Sequence, residues 1–353
     1  MTPDRGERLS QLVSERGLDC QLVTRLVNVR YLTGFGGTNG ACLCGPGKRL
    51  FLTDFRYGER AAAELDGWEI ETIEGDWLGG VAERLAGRVG FEDDHLSVRV
   101  LGKLEQQVGE GVELAPAGGL VEQLRRVKDD GELASITAAA ELADEVYRWL
   151  LERGFGGRSE REVARAAEAR IRELDAEPSF PPIVAAGPNG ALPHAEPGER
   201  VIEKGQMVVV DMGAEVDRYC SDCTRTFACG EPDGRAREVY ELVRAAQAAG
   251  LDGIAAGKEG TAVDAVAREL IDAAGHGGRF GHGLGHGVGL EVHEAPRLGT
   301  RSEDTLLAGD VVTVEPGIYL PGELGVRIED LVVVGEDGHR NLSGLSKDLT
   351  VVD

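Results

Sequence analysis

Two segments 104 residues apart share one pattern, and the pattern is costly to fold. Gly205-Gln206-Met207-Val208-Val209-Val210-Asp211-Met212-Gly213 and Gly309-Asp310-Val311-Val312-Thr313-Val314-Glu315-Pro316-Gly317 both read glycine, polar residue, apolar run, carboxylate, one residue, glycine. An acid set in a valine-rich strand costs several kcal/mol to bury unless it is paired or bound to a metal. A chain that does this twice is constrained to form two related halves. Each half must deliver its acid-bearing strand to a place where the charge is compensated. An H-x-x-P precedes each copy, His194 to Pro197 and His293 to Pro296, at unequal distances from the acid.

Each acid also has a second acid one hairpin away. A turn near Glu215–Arg218, centred between Val216 and Asp217, sets Asp211 opposite Asp222. A turn around Pro321-Gly322-Glu323 sets Glu315 opposite Glu329. Arg327, two residues before Glu329, shares its face and can neutralise it, whereas the first pair has no adjacent same-face cation. Two ionised carboxylates so placed repel, so a cation must lie between them or one must hold a proton. Of seven histidines, His276, His282, His286 and His293 fall in one short stretch, and the inner two are flanked by glycines. Glycine there lets imidazole and backbone approach a crowded centre. Four carboxylates with one imidazole form a hard donor set, suited to Mn²⁺, Co²⁺, Fe²⁺ or Zn²⁺. Two divalent ions neutralise such a centre, and one leaves it anionic. A pair of ions ~3.5–4 Å apart activates water, which is hydrolase chemistry.

The rest of the chain narrows the setting. Its 353 residues are long for one domain. Alternating strand-like and helix-like segments over residues 1–125 read as an α/β domain, with helices over 4–16 and 55–65 and strands over 20–24, 41–44, 49–53 and 68–73. The charged run Lys128-Asp129-Asp130-Gly131-Glu132 marks the boundary to a second domain over 126–353. That domain carries longer helices, one of them opened by the capping box Ser159-Glu160-Arg161-Glu162. A formal charge of −24 argues against nucleic-acid and anionic-membrane binding. No apolar run reaches transmembrane length, and the Met1–Arg8 start lacks an apolar signal core, so the expected location is cytoplasmic. Cys220 and Cys223 have CxxC spacing, but no second pair completes a zinc site, so the six cysteines read as buried thiols.

At these residues the sequence resembles the pita-bread metallopeptidases, the family of methionine aminopeptidase, Xaa-Pro aminopeptidase, prolidase and creatinase. The motifs are Pro193-His194-Ala195, Val210 to Gly213, Ser221 to Thr226, His282 to Glu294, Val314 to Gly317 and Val326 to Asp330. Asn28 to Gly40, taken alone a strand and a glycine-rich turn, is similar to the N-terminal domain of the Xaa-Pro branch. The resemblance implies a creatinase-like α/β N-terminal domain and an α+β pita-bread catalytic domain with an internal pseudo-two-fold repeat, assembled as a homodimer. It implies two divalent ions, Mn²⁺ foremost. Asp211 would chelate one, His286 and Glu315 the other, and Asp222 and Glu329 would bridge both. His194, His282 and His293 would bind substrate and serve the tetrahedral intermediate. Glu315 would relay a proton, and Arg327 would support Glu329 and orient a neighbouring histidine. The implied substrates are small peptides with proline second. Xaa-Pro aminopeptidase is the first reading and Xaa-Pro dipeptidase (prolidase) the alternative. A third reading, from another class, is a non-peptidase binding module or a hydrolase of a non-peptide substrate.

Overall fold

A computed structural model describes residues 4–353, so the first three residues of the sequence readings above lie outside it. The chain divides into two units, one ending at Arg125 and one spanning Arg126–Asp353.

The N-terminal unit is built on a six-stranded sheet in the order Glu69–Thr72, Lys48–Thr53, Ala41–Gly45, Cys20–Val23, Arg88–Phe91, Glu113–Pro116. The two joints made by strand Ala41–Gly45 are antiparallel and the other three parallel. Helix Arg5–Glu15 buries Leu9 and Val13, as its apolar spacing requires. Two local expectations need correction. The segment from Asn28 forms helix Leu26–Thr33, closed by Gly34 at φ 79°. Buried Glu92 accepts the Thr24 and Arg25 amides at 2.6 and 2.8 Å, and Asn28 donates to Glu92 at 2.7 Å. This long-range capping outweighs the strand preference of Val29 and Tyr31. The next helix begins at Gly58, not Phe55, because the Asp54 carboxylate accepts the Arg56 amide at 2.9 Å and fixes a turn first.

The second unit repeats one plan twice. In the first half, helices Asp130–Arg153 and Glu160–Glu173 accompany a sheet ordered Val351–Val352, Thr224–Cys229, Gln206–Asp211, Ile183–Ala186. In the second, helices Gly234–Asp252 and Gly260–Ile271 accompany a sheet ordered Glu294–Leu298, Gly285–Gly287, Val311–Val314, Asp330–Val334, His339–Asn341. Each repeat strand pairs antiparallel with the strand that follows its hairpin. Alternation then sorts the side chains. Val208, Val210 and Phe227 pack with Val146, Tyr147 and Leu150 of the first helix. Val312, Val314, Val326 and Ile328 pack with Val239 and Val243 in the other half. The intervening positions turn to the opposite face, where the acids sit. No helix among the described residues is long and apolar enough to cross a membrane.

Candidate metal centre

The halves join along the edges that carry the acids. The Glu329 amide donates to the Thr224 carbonyl at 3.0 Å, and the Thr226 hydroxyl exchanges hydrogen bonds with the Arg327 backbone. Registers decide what faces what. On both sides of Glu315 and Glu329 the ladder keeps one register, with Val314 opposite Asp330 and Gly317 opposite Arg327. That register sets the two glutamates opposite each other, as the turn at Gly322 requires. The first hairpin differs from expectation. Asp217 and Arg218, at φ 49° and 74°, form its two-residue turn, so the centre lies one residue later. Thr224, not Asp222, stands opposite Asp211. The shift is even, so Asp222 keeps its face and moves to a diagonal position.

Ligand atoms of Asp222, His286 and Glu329 lie within 4.8 Å of one another, and all three side chains are buried. His286 Nε2 is 3.3 Å from Glu315 Oε1 and 3.6 Å from Asp222 Oδ2. Its Nδ1 lies 3.1 Å from the Gly287 carbonyl, which can only accept. A neutral imidazole so held directs its Nε2 lone pair at the acids, the orientation a metal-binding histidine needs. Asp211 stands to one side. Arg327 Nη2 donates to its Oδ2 at 2.7 Å, while its buried Oδ1 has no hydrogen-bond partner. A buried carboxylate oxygen left unsatisfied, beside a directed imidazole and three further acids, fits a site for divalent cations.

Arg327 departs from the simplest sequence reading, because its ion-pair partner is Asp211, not Glu329. It reaches Glu329 through Thr224, accepting nothing itself: Nε donates to the Thr224 hydroxyl at 2.9 Å, which donates to Glu329 Oε2 at 2.7 Å. It reaches His282 through Tyr319: Nη1 lies 3.0 Å from the Tyr319 hydroxyl, itself 2.8 Å from His282 Nε2. His282 Nδ1 lies 2.8 Å from the Gly283 carbonyl and so carries the proton, and its Nε2 accepts from Tyr319. The His293 ring centre is 4.4 Å from that of His286. His194 is exposed on the cavity wall, close enough for its charge to act on His282 and His293. Thr224 and Tyr319 escaped the sequence reading. Thr224 was visible as the residue two beyond Asp222, on the same face, whereas Tyr319 lies in an ordinary apolar strand and gave no signal.

The electrostatics show what the cluster lacks. Burial, then the neighbouring Glu329, Asp211 and Glu315, push the Asp222 carboxyl well above its usual range. Burial and the same crowding do this to Glu329. Burial also raises Asp211, with Arg327 pulling the other way. Glu315 alone falls, to about 2: burial opposes its ionisation, but in the metal-free chain the His286 ring, donating from Nε2 where a bound metal would take its lone pair, outweighs burial by hydrogen bond and charge. A carboxyl raised in the folded chain stabilises it below the unfolded value of ~4, and that stability is lost as pH climbs through the folded value. Metal-free protein is therefore expected to melt progressively lower as pH rises from 5 to 9. Mn²⁺ must displace these protons, so the melting-temperature gain it brings should grow over the same range. Thermal scans with EDTA and with Mn²⁺ check this. A metal-free protein that gains stability as pH rises would contradict the reading.

The cluster opens into a cavity of about 1000 Å³ whose wall includes Phe180, Pro181, Ile183, His194, Arg297 and Arg301. A doubled α+β fold with a buried carboxylate–imidazole cluster under an open cavity defines a metal-dependent hydrolase of the pita-bread type. Residues 134–336 match the model of metallopeptidase family M24, and residues 5–127 match the Creatinase/Prolidase N-terminal domain. The chain belongs to metallopeptidase family M24. It is 34% identical to the Xaa-Pro dipeptidase of Pyrococcus furiosus over 351 residues, covering 98% of this chain and 99% of that one. The structure of the Xaa-Pro dipeptidase from Bacillus anthracis superposes with a TM-score of 0.95 at 40% identity, covering 99% of both chains. That of the X-Pro aminopeptidase from Thermotoga maritima gives 0.90 at 35% identity, covering 99% of this chain and all of that one.

Proposed function

We propose that this protein is an Xaa-Pro dipeptidase, cleaving the bond between a first residue and a following proline in dipeptides. One observation carries the hydrolytic reading: a buried acid cluster whose only permanently charged cation, among the described residues, is Arg327 on one member. Unused, such a cluster is a stability burden, so it fits a centre that is filled. Full-length similarity to proteins named Xaa-Pro dipeptidase favours the dipeptide over the longer substrates of the first sequence reading. Membership of a metallopeptidase family weighs against a pure binding module. The second reading, Xaa-Pro aminopeptidase, draws support from the Thermotoga maritima neighbour.

Asp211, Asp222, His286, Glu315 and Glu329 would hold two divalent ions, Mn²⁺ first among them for an oxygen-rich donor set. Bound there, the ions would supply an activated water and a charge that stabilises the developing oxyanion. The chain's own residues would do the rest. Arg297 and Arg301 place positive charge on the cavity wall, where the free carboxylate of a two-residue substrate has a partner. Glu315 would take up a proton from water. His293 and His194, on the cavity wall, would contact substrate and protonate the leaving proline nitrogen. His282 also lines the cavity, and the bonds of its ring nitrogens to Tyr319 and the Gly283 carbonyl would fix the orientation in which its ring meets substrate. A cytoplasmic homodimer belongs to the same reading, with light scattering as the check on the dimer.

Mass spectrometry of Mn²⁺-loaded protein tests the substrate. An Xaa-Pro dipeptide should be cleaved, and Xaa-Pro-Yaa and Met-Ala-Yaa should stay intact. Release of the first residue from the Xaa-Pro tripeptide would establish the aminopeptidase instead. Three intact peptides under several metals would end both readings.

A further inference from the structure

The capping box that opens helix Glu160–Glu173 leaves one acid unexplained. Ser159 and Glu162 cap the helix reciprocally. Glu160, between them, is fully buried and has no part in the box. Its carboxylate accepts four hydrogen bonds: Oε1 from the Ala186 amide at 2.9 Å and Asn189 Nδ2 at 3.1 Å, Oε2 from Asn189 Nδ2 at 2.9 Å and the Gly198 amide at 3.1 Å. The Arg161 amide adds a bond to the Gly198 carbonyl at 3.0 Å. Every partner of the carboxylate lies on the loop 186–198, at its start, within its first turn and at its end. That loop carries Pro193 and His194 to the cavity. Its far side is held by the centre itself: Arg327 Nη1 donates to the Pro193 carbonyl at 3.1 Å. Between these anchors the loop packs directly on strand Leu324–Arg327, where a Cβ on Gly325 would stand 1.7 Å from the Gly190 carbonyl oxygen.

We propose that Glu160 is a positioning residue for His194, acting through the loop 186–198, and this rests on the reading of His194 as a substrate-contacting group. A loop pinned at both ends and pressed on a strand holds an exposed imidazole in one place without a direct bond to it. Free carboxylate geometry matters here, because both oxygens accept from N–H donors. Glutamine keeps one such pair and turns an NH₂ against the other, so Glu160→Gln releases one end of the loop at nearly constant volume.

The test is a double-mutant cycle of Glu160→Gln with His194→Ala on the full-length, Mn²⁺-loaded protein, with Asn189→Ala as a second, gentler release of the loop. Glu160→Gln should lower kcat/KM for the Xaa-Pro dipeptide by roughly 10²-fold, the scale of a ~1 Å misplacement. In the His194→Ala background it should cost less than about twofold, and the Mn²⁺ titration should be unchanged in both. Asn189→Ala should act in the same direction and more weakly, and it stands in if Glu160→Gln does not fold. Histidine NMR of the metal-free protein reads the same proposal without turnover. The His194 resonance, assigned by its loss in His194→Ala, should shift or broaden in Glu160→Gln and Asn189→Ala while the His286 resonance stays. Equal losses in both backgrounds, weakened Mn²⁺ binding that tracks the lost activity, or an unmoved His194 resonance would overturn it. A wild-type protein that cleaves no Xaa-Pro peptide would defeat the substrate reading alone, and the NMR result would still decide the role of Glu160.

Discussion

Asp222→Asn is expected to make the metal-free protein melt higher while removing its activity. Asp222 is buried beside Glu329, with Asp211 and Glu315 near enough to disfavour its charge. Near pH 7 the metal-free fold bears that cost, as repulsion or as the uptake of a proton, because a carboxyl forced well above its usual range destabilises the fold once pH exceeds the unfolded value. Asparagine keeps the shape and drops the charge. The melting temperature in EDTA should therefore rise, and the stabilisation brought by Mn²⁺ should shrink. Turnover should fall on the order of 10⁴-fold or more, because a proposed bridging ligand is lost from the reacting centre. Opposite changes in stability and activity mark a site kept for function at the expense of stability. A drop in both, with Mn²⁺ binding intact, would mean that Asp222 is structural. Calorimetry with EDTA and with Mn²⁺, beside a dipeptide assay, separates the outcomes.

Arg327→Met is expected to be the most destabilising single change at the centre. One guanidinium, 4% exposed, donates to Asp211, Thr224, Tyr319 and the Pro193 carbonyl. Removing it strands the buried Asp211 charge, and breaking a buried pair from one side costs about 3–5 kcal/mol. The loss should be larger in EDTA than with Mn²⁺, since a bound cation would partly replace the missing charge beside Asp211. Arg327→Lys should rescue little. An ammonium is a point charge, and the four partners surround a planar fork. Even in the folded fraction kcat should fall by about 10–100-fold, the usual effect of removing groups that orient ligands. Chemical denaturation in both metal states measures the first effect. Near-complete rescue by lysine would show that only the charge at Asp211 matters.

Much of this site was legible because its cause is local. A carboxylate at the end of Val208-Val209-Val210 advertises its own cost, and the same pattern ending in Glu315 exposes the doubled fold. Glycine-flanked histidines gave the imidazole side, and the turn at Gly322 gave the correct facing of Glu315 and Glu329. The errors arose where a distant partner chose between local options. Asp217 and Arg218 both adopt left-handed backbone, which the sequence did not signal, and the first hairpin moved by one residue at its centre. Glu92, far along the chain, turned the segment at Asn28 into a helix.

By itself, then, the sequence determined the two halves, the acids and histidine of the centre, and the need for a balancing charge, because strand alternation and the cost of burying charge act within a few residues. The tertiary structure alone decided which acid Arg327 serves, that Thr224 and Tyr319 carry its influence to Glu329 and His282, and that Glu160 holds the loop of His194. Those contacts join residues up to 134 positions apart, as between Pro193 and Arg327. Packing of one half on the other brings Arg327 to Asp211, Thr224 and Pro193, and folding within a half brings Glu160 to its loop and Tyr319 to His282.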